Sequence, residues 1–305
     1  MDGILIINKP KGFTSHDVVA KLRGILRTKK IGHTGTLDPD ATGVLPVCVG
    51  KATRLCEVLA DHDKCYRARI RLGISTDTED LSGTVLSEIS SEEVKRRVAE
   101  EDFRKAVEAL TGDLMQIPPM YSAIKIGGKK LYEYARAGVE IEREARPVTV
   151  YSVEILEWNC PEAELLISCS KGTYIRSFCR DLGDSLGVGG ALAALERTKV
   201  DRFSLEDALT LEEVEACRDN GFTFDHGFVP LEEVFRDLPK VCTTPEEGDK
   251  RLRNGNKLLQ EHFSPVLTKE EVTGYISVCD SDGTFLGLYR MDPETGELSP
   301  FKMFL

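Results

Sequence analysis

The segment Tyr66–Leu72 constrains the fold more than any other part of the sequence, because its residue types alternate strictly. Every second residue is aromatic or aliphatic, and the positions between them are all arginine. Successive side chains of a β-strand point to opposite faces, so this pattern predicts a strand with one face in the core. The strand is therefore half buried and presents a basic row to its surroundings.

Helices and strands mix irregularly before about residue 240, without the βαβ rhythm of a parallel sheet. This mixture predicts an α+β body built on a mixed or antiparallel sheet. The predicted strands are Ile4–Ile7, Val44–Val49, Tyr66–Leu72, Val148–Trp158 and Glu164–Ser170. The predicted helices are one capped by Ser15, one over 91–111 capped by Ser91, Ile175–Leu186, Ala191–Arg197 and an acidic helix over roughly 206–218.

The pattern changes after about residue 240 to short strands separated by turns. The segments concerned are Tyr275–Val278, Phe285–Arg290 and Leu298–Leu305. A chain of 305 residues is also long enough for two domains. We therefore expect a catalytic body over residues 1–235 and a small all-β barrel over 241–305.

The apolar runs are too short for a membrane protein. The longest, such as Ile4–Ile7, fall far below the roughly 18 apolar residues that span a bilayer. The polar triplet Asn8-Lys9-Pro10 follows almost at once, so the N-terminus lacks the apolar region of a secretory signal. These features predict a cytoplasmic protein that is not anchored in a membrane.

The chain contains 9 cysteines, an odd number, and none of them lies in a C-x-x-C pair. The 5 histidines make no paired ligand spacing with them, so we expect no zinc site or other metal site. An odd and dispersed set also argues against a disulfide framework. We expect reduced and mostly buried thiols.

The net charge of −11 conceals an uneven distribution. Residues 1–73 carry 13 basic and 7 acidic side chains, whereas residues 201–240 carry 4 basic and 11 acidic ones. A basic face could therefore hold a polyanion while acidic helices keep the rest of the protein soluble. The charge distribution is thus compatible with a nucleic-acid partner.

The segment Gly32–Gly43 is the densest cluster of unusual residues, and its glycines and proline predict a loop. The glycines could cradle a phosphate, although no G-K-[ST] follows them. Asp38 and Asp40 could form a carboxylate pair for glycoside hydrolysis or metal binding. Alternatively, Asp38 could only cap an Asx turn. The residues by themselves leave these interpretations open.

Two further segments carry groups that could bind a ligand. Lys171–Arg176 precedes a predicted helix. The Arg176 guanidinium could form a two-point ion pair with a carboxylate, or Arg176 could be an ordinary surface arginine. The run Gln116–Tyr132 is basic, aromatic and rich in turns. It could close on RNA or be an ordinary solvated loop.

Four motifs resemble, in order, those of the TruB family, the bacterial tRNA pseudouridine-55 synthases. They are Asn8-Lys9-Pro10-Lys11-Gly12-Phe13-Thr14-Ser15, the Gly32–Gly43 loop, Lys171–Arg176 and Leu195-Glu196-Arg197-Thr198. The resemblance implies a pseudouridine synthase catalytic domain over 1–235 and a PUA-like domain over 241–305. It also implies that the insertion over 118–146 is the thumb loop of the stand-alone bacterial enzymes, which use no guide RNA.

The resemblance further implies an activity and three catalytic residues. The family isomerises uridine-55 in the TΨC arm of tRNA, replacing the N1–C1′ bond with a C5–C1′ bond, and needs no cofactor or metal. Asp38 matches the catalytic aspartate, and Arg176 matches the arginine that holds it ionised. Tyr66 matches the tyrosine that stacks on the extracted base and takes part in proton transfer at C5.

Five more residues match positions with supporting roles in the family. His33 matches the residue that fills the space left by the flipped base. Tyr174 and Leu195 match walls of the base pocket. Lys9 and Pro10 match a motif that we interpret as structural support for the catalytic loop. The resemblance also implies that the protein is a monomer.

Two other functions compete with this interpretation. A non-catalytic RNA-binding protein or RNA-folding chaperone would use the same surface without needing Asp38. A carboxylate hydrolase acting on nucleosides would instead release free uracil.

Overall fold

The computed structural model describes residues 1–218, 220–267 and 274–305. Its strands are β1 (Gly3–Lys9), β2 (Ile31–His33), β3 (Thr42–Val49), β4 (Lys64–Leu72), β5 (Ile74–Thr76), β6 (Val85–Glu88), β7 (Gly112–Gln116), β8 (Lys125–Ile126), β9 (Lys129–Lys130), β10 (Arg146–Asn159), β11 (Glu162–Cys169), β12 (Gly190–Val200), β13 (Phe203–Ser204), β14 (Phe228–Pro230), β15 (Lys240–Thr243), β16 (Phe263–Ser264), β17 (Tyr275–Cys279), β18 (Phe285–Met291) and β19 (Leu298–Met303).

The helices are α1 (Ser15–Leu26), α2 (Cys56–Leu59), α3 (Ser91–Arg97), α4 (Glu100–Ala109), α5 (Leu131–Arg136), α6 (Ile175–Ser185), α7 (Leu211–Ala216) and α8 (Glu247–Arg253). Short 3₁₀ turns lie at Gly50–Leu55, Glu233–Phe235 and Gln260–His262. No helix in the described part of the chain is long and apolar enough to cross a bilayer.

One mixed sheet runs through the body of the protein. Its strands lie in the order β14-β1-β3-β12-β4-β11-β10-β7, with β2 added to β3 and β13 added to β12. β12 pairs parallel to β3 and antiparallel to β4, whereas β4, β11, β10 and β7 are antiparallel to their neighbours. This arrangement confirms the predicted α+β class with a mixed sheet.

The predicted alternation is confirmed in β4, which lies near the centre of this sheet. The aromatic and aliphatic side chains of Tyr66–Leu72 are buried, whereas Arg67 and Arg69 are exposed. The buried face joins an apolar cluster with residues of α4 and α6, including Phe103 and Phe178. Since β12 and β11 flank β4, any group on this buried face lies deep in the molecule.

The prediction of a helix over Ala191–Arg197 is wrong, because this segment belongs to strand β12. Its Ala- and Leu-rich sequence has high helix propensity. In the fold, however, it fills the gap between β3 and β4 and completes hydrogen-bond ladders on both sides. Tertiary pairing therefore overrides the local preference.

The single helix predicted over 91–111 is divided into α3 and α4. Val98 and Ala99 have extended backbone between them, and Ser90 rather than Ser91 caps α3 through the backbone N–H of Glu93. The break allows Val94 and Phe103 to reach the same apolar cluster from two directions. Neither glycine nor proline marks the break, so the sequence does not predict it.

Two other helix starts differ from the prediction. Thr14, not Ser15, caps α1, and it forms a capping box with Asp17. The acidic helix predicted over 206–218 is shorter, since Thr210 caps α7 in the same way and α7 covers only Leu211–Ala216. Because Ser15 does not cap α1, its hydroxyl makes a buried contact that is described below.

The C-terminal sheet has the order β16-β15-β17-β18-β19. Within the described residues this order is open, with β16 and β19 at its edges, so a closed barrel is not formed by these pairings. The segment is also not all-β, because it contains α8, where the buried Leu252 is the only aliphatic side chain of the helix. A single apolar residue gives no helical periodicity, which explains why the sequence did not predict α8.

An apolar core joins the C-terminal sheet to the body. Residues Cys279, Phe285, Leu288 and Phe304 of the C-terminal part pack in one cluster with Ile4, Val44, Cys48, Leu55 and Leu59 of the body. The two predicted domains therefore share buried surface.

Candidate active site

The loop that carries Asp38 connects β2 to β3 and is anchored by two buried side chains. The hydroxyl of Ser15 accepts a hydrogen bond from the Leu37 backbone N–H at 2.9 Å and donates to the Leu37 carbonyl at 3.3 Å. The Lys9 ammonium donates to the carbonyl of Pro39 at 3.1 Å. These contacts fix the backbone on both sides of Asp38.

Lys9 acts as the centre of this support. It is fully buried, and it also donates to the carbonyls of Pro10 at 3.0 Å and Phe13 at 2.6 Å. Burial lowers the pKa of Lys9 to about 8, although the negative charges of Asp38 and Asp40 oppose that shift. The end of β1, the turn after it and the Asp38 loop are therefore held by one ammonium group.

Asp38 forms a two-point ion pair with Arg176, the second residue of α6. The Nε of Arg176 lies 2.9 Å from Oδ2 of Asp38, and its Nη2 lies 3.3 Å from Oδ1. The Arg176 side chain is 6% exposed, whereas that of Asp38 is 43% exposed. The guanidinium is thus a rigid support, and the carboxylate is accessible to a ligand.

Backbone carbonyls satisfy the rest of the Arg176 guanidinium. Nη1 donates to the carbonyl of Thr78 at 3.1 Å, and Nη2 donates to the carbonyl of Tyr121 at 2.9 Å. Tyr121 belongs to the segment over 118–146, so this segment helps to position the ion pair. Within the same segment, Arg143 also donates to the carbonyl of Pro118 at 3.1 Å.

A buried network fixes the turn that supplies the Thr78 carbonyl. Glu79 has a backbone φ of 64°, in the left-handed region that is uncommon for a residue with a side chain. Its carboxylate accepts a hydrogen bond from Ser177 at 2.6 Å and pairs with Arg180, both on α6. The turn and α6 are therefore tied together next to Arg176.

Asp38 lies in the wall of a cavity of about 420 Å³. Tyr66, Arg176, Tyr174 and Leu195 line the same cavity. The remaining lining includes Tyr121, Tyr132, Lys64 and Arg197. Asp38 also lines a second cavity, of about 580 Å³, together with charged residues such as Lys11, Arg67, Arg69 and Glu164. Asp38 thus contributes to both an aromatic cavity and a charged one.

Tyr66 is 7% exposed at the floor of the aromatic cavity. Burial raises the pKa of its phenol, whereas the positive charge of Arg197 opposes that rise. Tyr174 stands just before α6, where its backbone N–H donates to the Gln116 side chain at 2.8 Å. Burial also raises the pKa of the Tyr174 phenol.

Three of the predicted site residues lie outside the lining of the aromatic cavity. Lys9 and Pro10 stand behind the Asp38 loop, as described above. His33 ends β2, and burial lowers the pKa of its imidazole, helped by the positive charge of Arg197. Its Nδ1 is buried and has no hydrogen-bond partner among the described residues.

Arg197 is the main site residue that the sequence reasoning missed. It is 1% exposed, and it donates to the carbonyls of Val44 at 2.7 Å and Gly35 at 3.3 Å. The signal was present in the motif Leu195-Glu196-Arg197-Thr198. On a strand, the two-residue spacing places Leu195 and Arg197 on one face, but the helix prediction concealed this.

The described residues contain no group of three or more His, Cys, Asp and Glu side chains arranged to hold a metal ion.

Comparison with known proteins identifies the family. A family model described as "TruB family pseudouridylate synthase (N terminal domain)" matches residues 23–175. A second, described as "tRNA pseudouridylate synthase B C-terminal domain", matches residues 176–236. This chain belongs to the TruB family. Its membership confirms the resemblance inferred from the four sequence motifs.

Relatives in the TruB family match over the full length of the chain. The tRNA pseudouridine synthase B of Lachnoclostridium phytofermentans is 48% identical over 314 residues, covering 100% of both chains. The protein of the same name from Geobacillus thermodenitrificans is 42% identical over 311 residues, with the same coverage. These matches favour a pseudouridine synthase over a non-catalytic RNA-binding protein.

Solved structures support the fold. A chain of the "Cbf5-Nop10-Gar1 Complex" matches with a TM-score of 0.71 and 25% identity, covering 99% of this chain and 85% of that chain. A chain of an "H/ACA RNP bound to a substrate RNA containing 2'-deoxyuridine" matches with a TM-score of 0.69 and 23% identity, covering 99% and 85%. The TruB chain therefore has the α+β fold of pseudouridine synthases.

Proposed function

We propose that this TruB family enzyme converts uridine-55 in the T arm of tRNA to pseudouridine, with Asp38 as the nucleophile. The observation that carries this proposal is the two-point ion pair between Asp38 and Arg176 at the wall of a cavity of about 420 Å³. Cavities of this size class hold small organic groups such as a nucleobase. The pair fixes the carboxylate at the wall of that cavity and leaves it accessible as a nucleophile.

The target base must leave its stack before it can reach Asp38. Flipping a base out costs on the order of a few kcal/mol. His33, which lies beside the Asp38 loop, would fill the vacated space in the RNA. Tyr66 would stack on the extracted uracil, and Tyr174 and Leu195 would form the walls around it.

The reaction is an isomerisation whose atoms balance within the substrate. Asp38 attacks the bound nucleoside, the N1–C1′ bond breaks, and the uracil turns so that C5 bonds to C1′. The proton on C5 then leaves, Tyr66 takes part in that transfer, and N1 gains a proton. Neither a cofactor nor a metal ion is required by this balance.

The proposed partner is tRNA alone, without a guide RNA, and the proposed acting form is a monomer in the cytoplasm. Relatives that share the full length of the chain are named tRNA pseudouridine synthase B. The insertion over 118–146 contributes Tyr121 and Tyr132 to the cavity and Lys125, Lys129 and Lys130 to its own surface, which suits a thumb that closes on RNA.

We further propose that residues 1–235 form the catalytic unit and residues 241–305 a PUA-like unit with an auxiliary role. In support, each proposed catalytic residue lies before residue 200. The C-terminal segment contributes an open sheet that shares an apolar core with the body.

The experiment is to treat a tRNA transcript with the protein and to map pseudouridine by carbodiimide modification and primer extension. We expect one stop, one nucleotide 3′ of position 55. Unmodified RNA with altered folding would support the chaperone alternative. Release of free uracil would support the nucleoside hydrolase.

A further inference from the structure

Arg197 is a buried cation that the proposed mechanism does not use. It is 1% exposed, and its Nε and Nη2 donate only to the backbone carbonyls of Val44 and Gly35. Within the part of the chain that the structure describes, it forms no ion pair with a carboxylate. A buried guanidinium without an anionic partner is costly to a fold, so its place needs an explanation.

Arg197 lies directly opposite Tyr66 across the antiparallel pair of β12 and β4. Opposed residues of such a pair point to the same face of the sheet, within reach of each other. Both side chains are buried, and both line the aromatic cavity beside Asp38. The Tyr66 phenol is thus an acidic group that faces an otherwise unpaired positive charge.

The other ionisable groups in this region do not neutralise Arg197. Its charge helps to lower the pKa of Lys9, His33 and Lys64, which are themselves cationic when protonated. The titratable groups that act on Tyr66 are Arg197, Asp38 and Cys169, and burial raises the pKa of the Cys169 thiol to about 12, so that it carries no charge at neutral pH. Of these, Asp38 is already paired with Arg176. A phenolate at Tyr66 would therefore be the anion that completes the local charge balance.

We propose that Arg197 is a positioning residue that presents a fixed positive charge to the Tyr66 oxygen, so that Tyr66 can accept the proton leaving C5. This inference rests on the proposed function and adds a partner to its last step. Beside the Arg197 charge, the Tyr66 phenol first gives its proton to solvent. The C5–H bond then breaks, and its proton moves to the Tyr66 phenolate oxygen. Its electron pair forms the C5–C6 double bond, while the C6–N1 π electrons move to N1, which takes a proton from solvent.

The test is a double-mutant cycle measured in single turnovers with enzyme in saturating excess over tRNA transcript. The variants are Arg197→Gln, Tyr66→Phe and the double variant, followed across about pH 6 to 10. Lys199→Gln is the matched control, because Lys199 is an exposed cation on the same strand. Circular dichroism reports whether each variant is folded.

We expect Tyr66→Phe to slow turnover by about 10²-fold, the scale of a lost acid–base group. Arg197→Gln should slow it by about 10-fold or more and shift the rise of rate with pH to higher pH. In the Tyr66→Phe background, however, Arg197→Gln should cost less than about 3-fold. Lys199→Gln should leave both the rate and its pH profile unchanged.

Equal losses from Arg197→Gln in both backgrounds, or an unchanged pH profile, would overturn the inference and assign Arg197 to folding alone. Full turnover by Tyr66→Phe would instead reject the role of Tyr66 in the proposed function. If Arg197→Gln does not fold, the test uses Arg197→Lys instead, with fluorotyrosine incorporated in place of Tyr66. The more acidic phenol should restore part of the rate in that variant, and no restoration would overturn the inference.

Discussion

The Asp38 end of the main sheet and the C-terminal sheet bury different kinds of group. Around the Asp38 loop, the charged side chains of Lys9, Arg176 and Arg197 are almost fully enclosed. The core of the C-terminal sheet is instead built from aliphatic and aromatic residues, such as Val241, Leu252, Ile276, Leu286 and Tyr289. One region uses burial to position reactive groups, and the other uses it to hold strands together.

This difference separates two kinds of sensitivity. A charged side chain that is held by carbonyls and one carboxylate can be replaced by an uncharged side chain of the same shape. Such a substitution removes the reactivity of the group while the protein stays folded. An apolar core loses free energy of unfolding in proportion to the volume removed. Substitutions near Asp38 should therefore change the rate of reaction, and substitutions in the C-terminal core should change stability.

Asp38→Asn should have the largest effect, the loss of all detectable pseudouridine formation. The amide is nearly isosteric, so the loop should survive, but it is a poor nucleophile and cannot form an ion pair with Arg176. Affinity for tRNA should stay within roughly tenfold, about 1.4 kcal/mol, because binding rests on many phosphate contacts. Single-turnover assays and filter binding measure the two quantities.

Asp40→Asn is the matched control for this prediction, because Asp40 lies two residues away on the same loop and is exposed. It should retain most of the activity. A near-normal rate for Asp38→Asn, or loss of activity in Asp40→Asn instead, would place the nucleophile elsewhere.

Phe285→Ala should lower the free energy of unfolding by about 3 kcal/mol, the usual cost of truncating a buried aromatic residue. Phe285 contacts Phe235 of the body at 5.6 Å and Phe304 at 5.3 Å between ring centroids. The folded protein should keep its single-turnover rate, since the Asp38 loop is not touched. Urea denaturation gives the stability, and Phe301→Ala, at a position 37% exposed, is the control.

A fall in the single-turnover rate of folded Phe285→Ala would contradict the separation of chemistry from C-terminal packing.

The shared core also changes what a truncation can test. Deleting residues 241–305 would expose the apolar side chains that Phe285 and Phe304 cover, so it would perturb the body as well as RNA binding. A substitution within the intact chain is therefore the sharper test.

The sequence predicted the contact between Asp38 and Arg176 better than the scaffold around it. Asp38 and Arg176 could be proposed as partners because their motifs are specific, and the alternation of Tyr66–Leu72 survives in β4. The segment Ala191–Arg197 could not be predicted correctly, because its helix propensity is local and the two ladders that override it come from distant strands. The error also hid Arg197, whose importance depends on facing Tyr66.

Contacts between distant residues account for the other surprises. Ser15 follows a turn and precedes a helix, so it resembles a cap in the sequence. Only the fold shows that Thr14 caps the helix and that Ser15 holds the backbone of Leu37, 22 residues away. The support of Arg176 by the carbonyls of Thr78 and Tyr121 is similarly invisible in the sequence, since any residue type supplies a carbonyl.

Lys9→Met should lower the free energy of unfolding by about 2 kcal/mol. The methionine keeps the length of the side chain but leaves the carbonyls of Pro10, Phe13 and Pro39 without a donor, at a cost of about 1–3 kcal/mol for a buried unsatisfied group. Relief from burying a charge offsets part of this cost. Because Pro39 adjoins Asp38, the rate should fall as well, and denaturation and single-turnover assays measure both effects.

Lys11→Met is the control for that prediction, because Lys11 is exposed and should change stability by less than about 0.5 kcal/mol. Equal stability of the two variants would mean that the carbonyl contacts of Lys9 do not support the loop.

The smallest effect should come from removing metal ions. The proposed reaction only rearranges bonds within the substrate, so it requires neither a redox partner nor a Lewis acid. Its proposed nucleophile is Asp38, and its proposed acid–base group is Tyr66. We therefore expect the single-turnover rate to be unchanged in excess EDTA when the tRNA is folded beforehand and held in monovalent salt.

The control is a tRNA structure probe run in the same buffer, because loss of RNA folding would imitate loss of catalysis. A rate that disappears on chelation while the RNA stays folded, and that returns with zinc or magnesium, would show that the Asp38 region depends on an ion as well as on its buried cations.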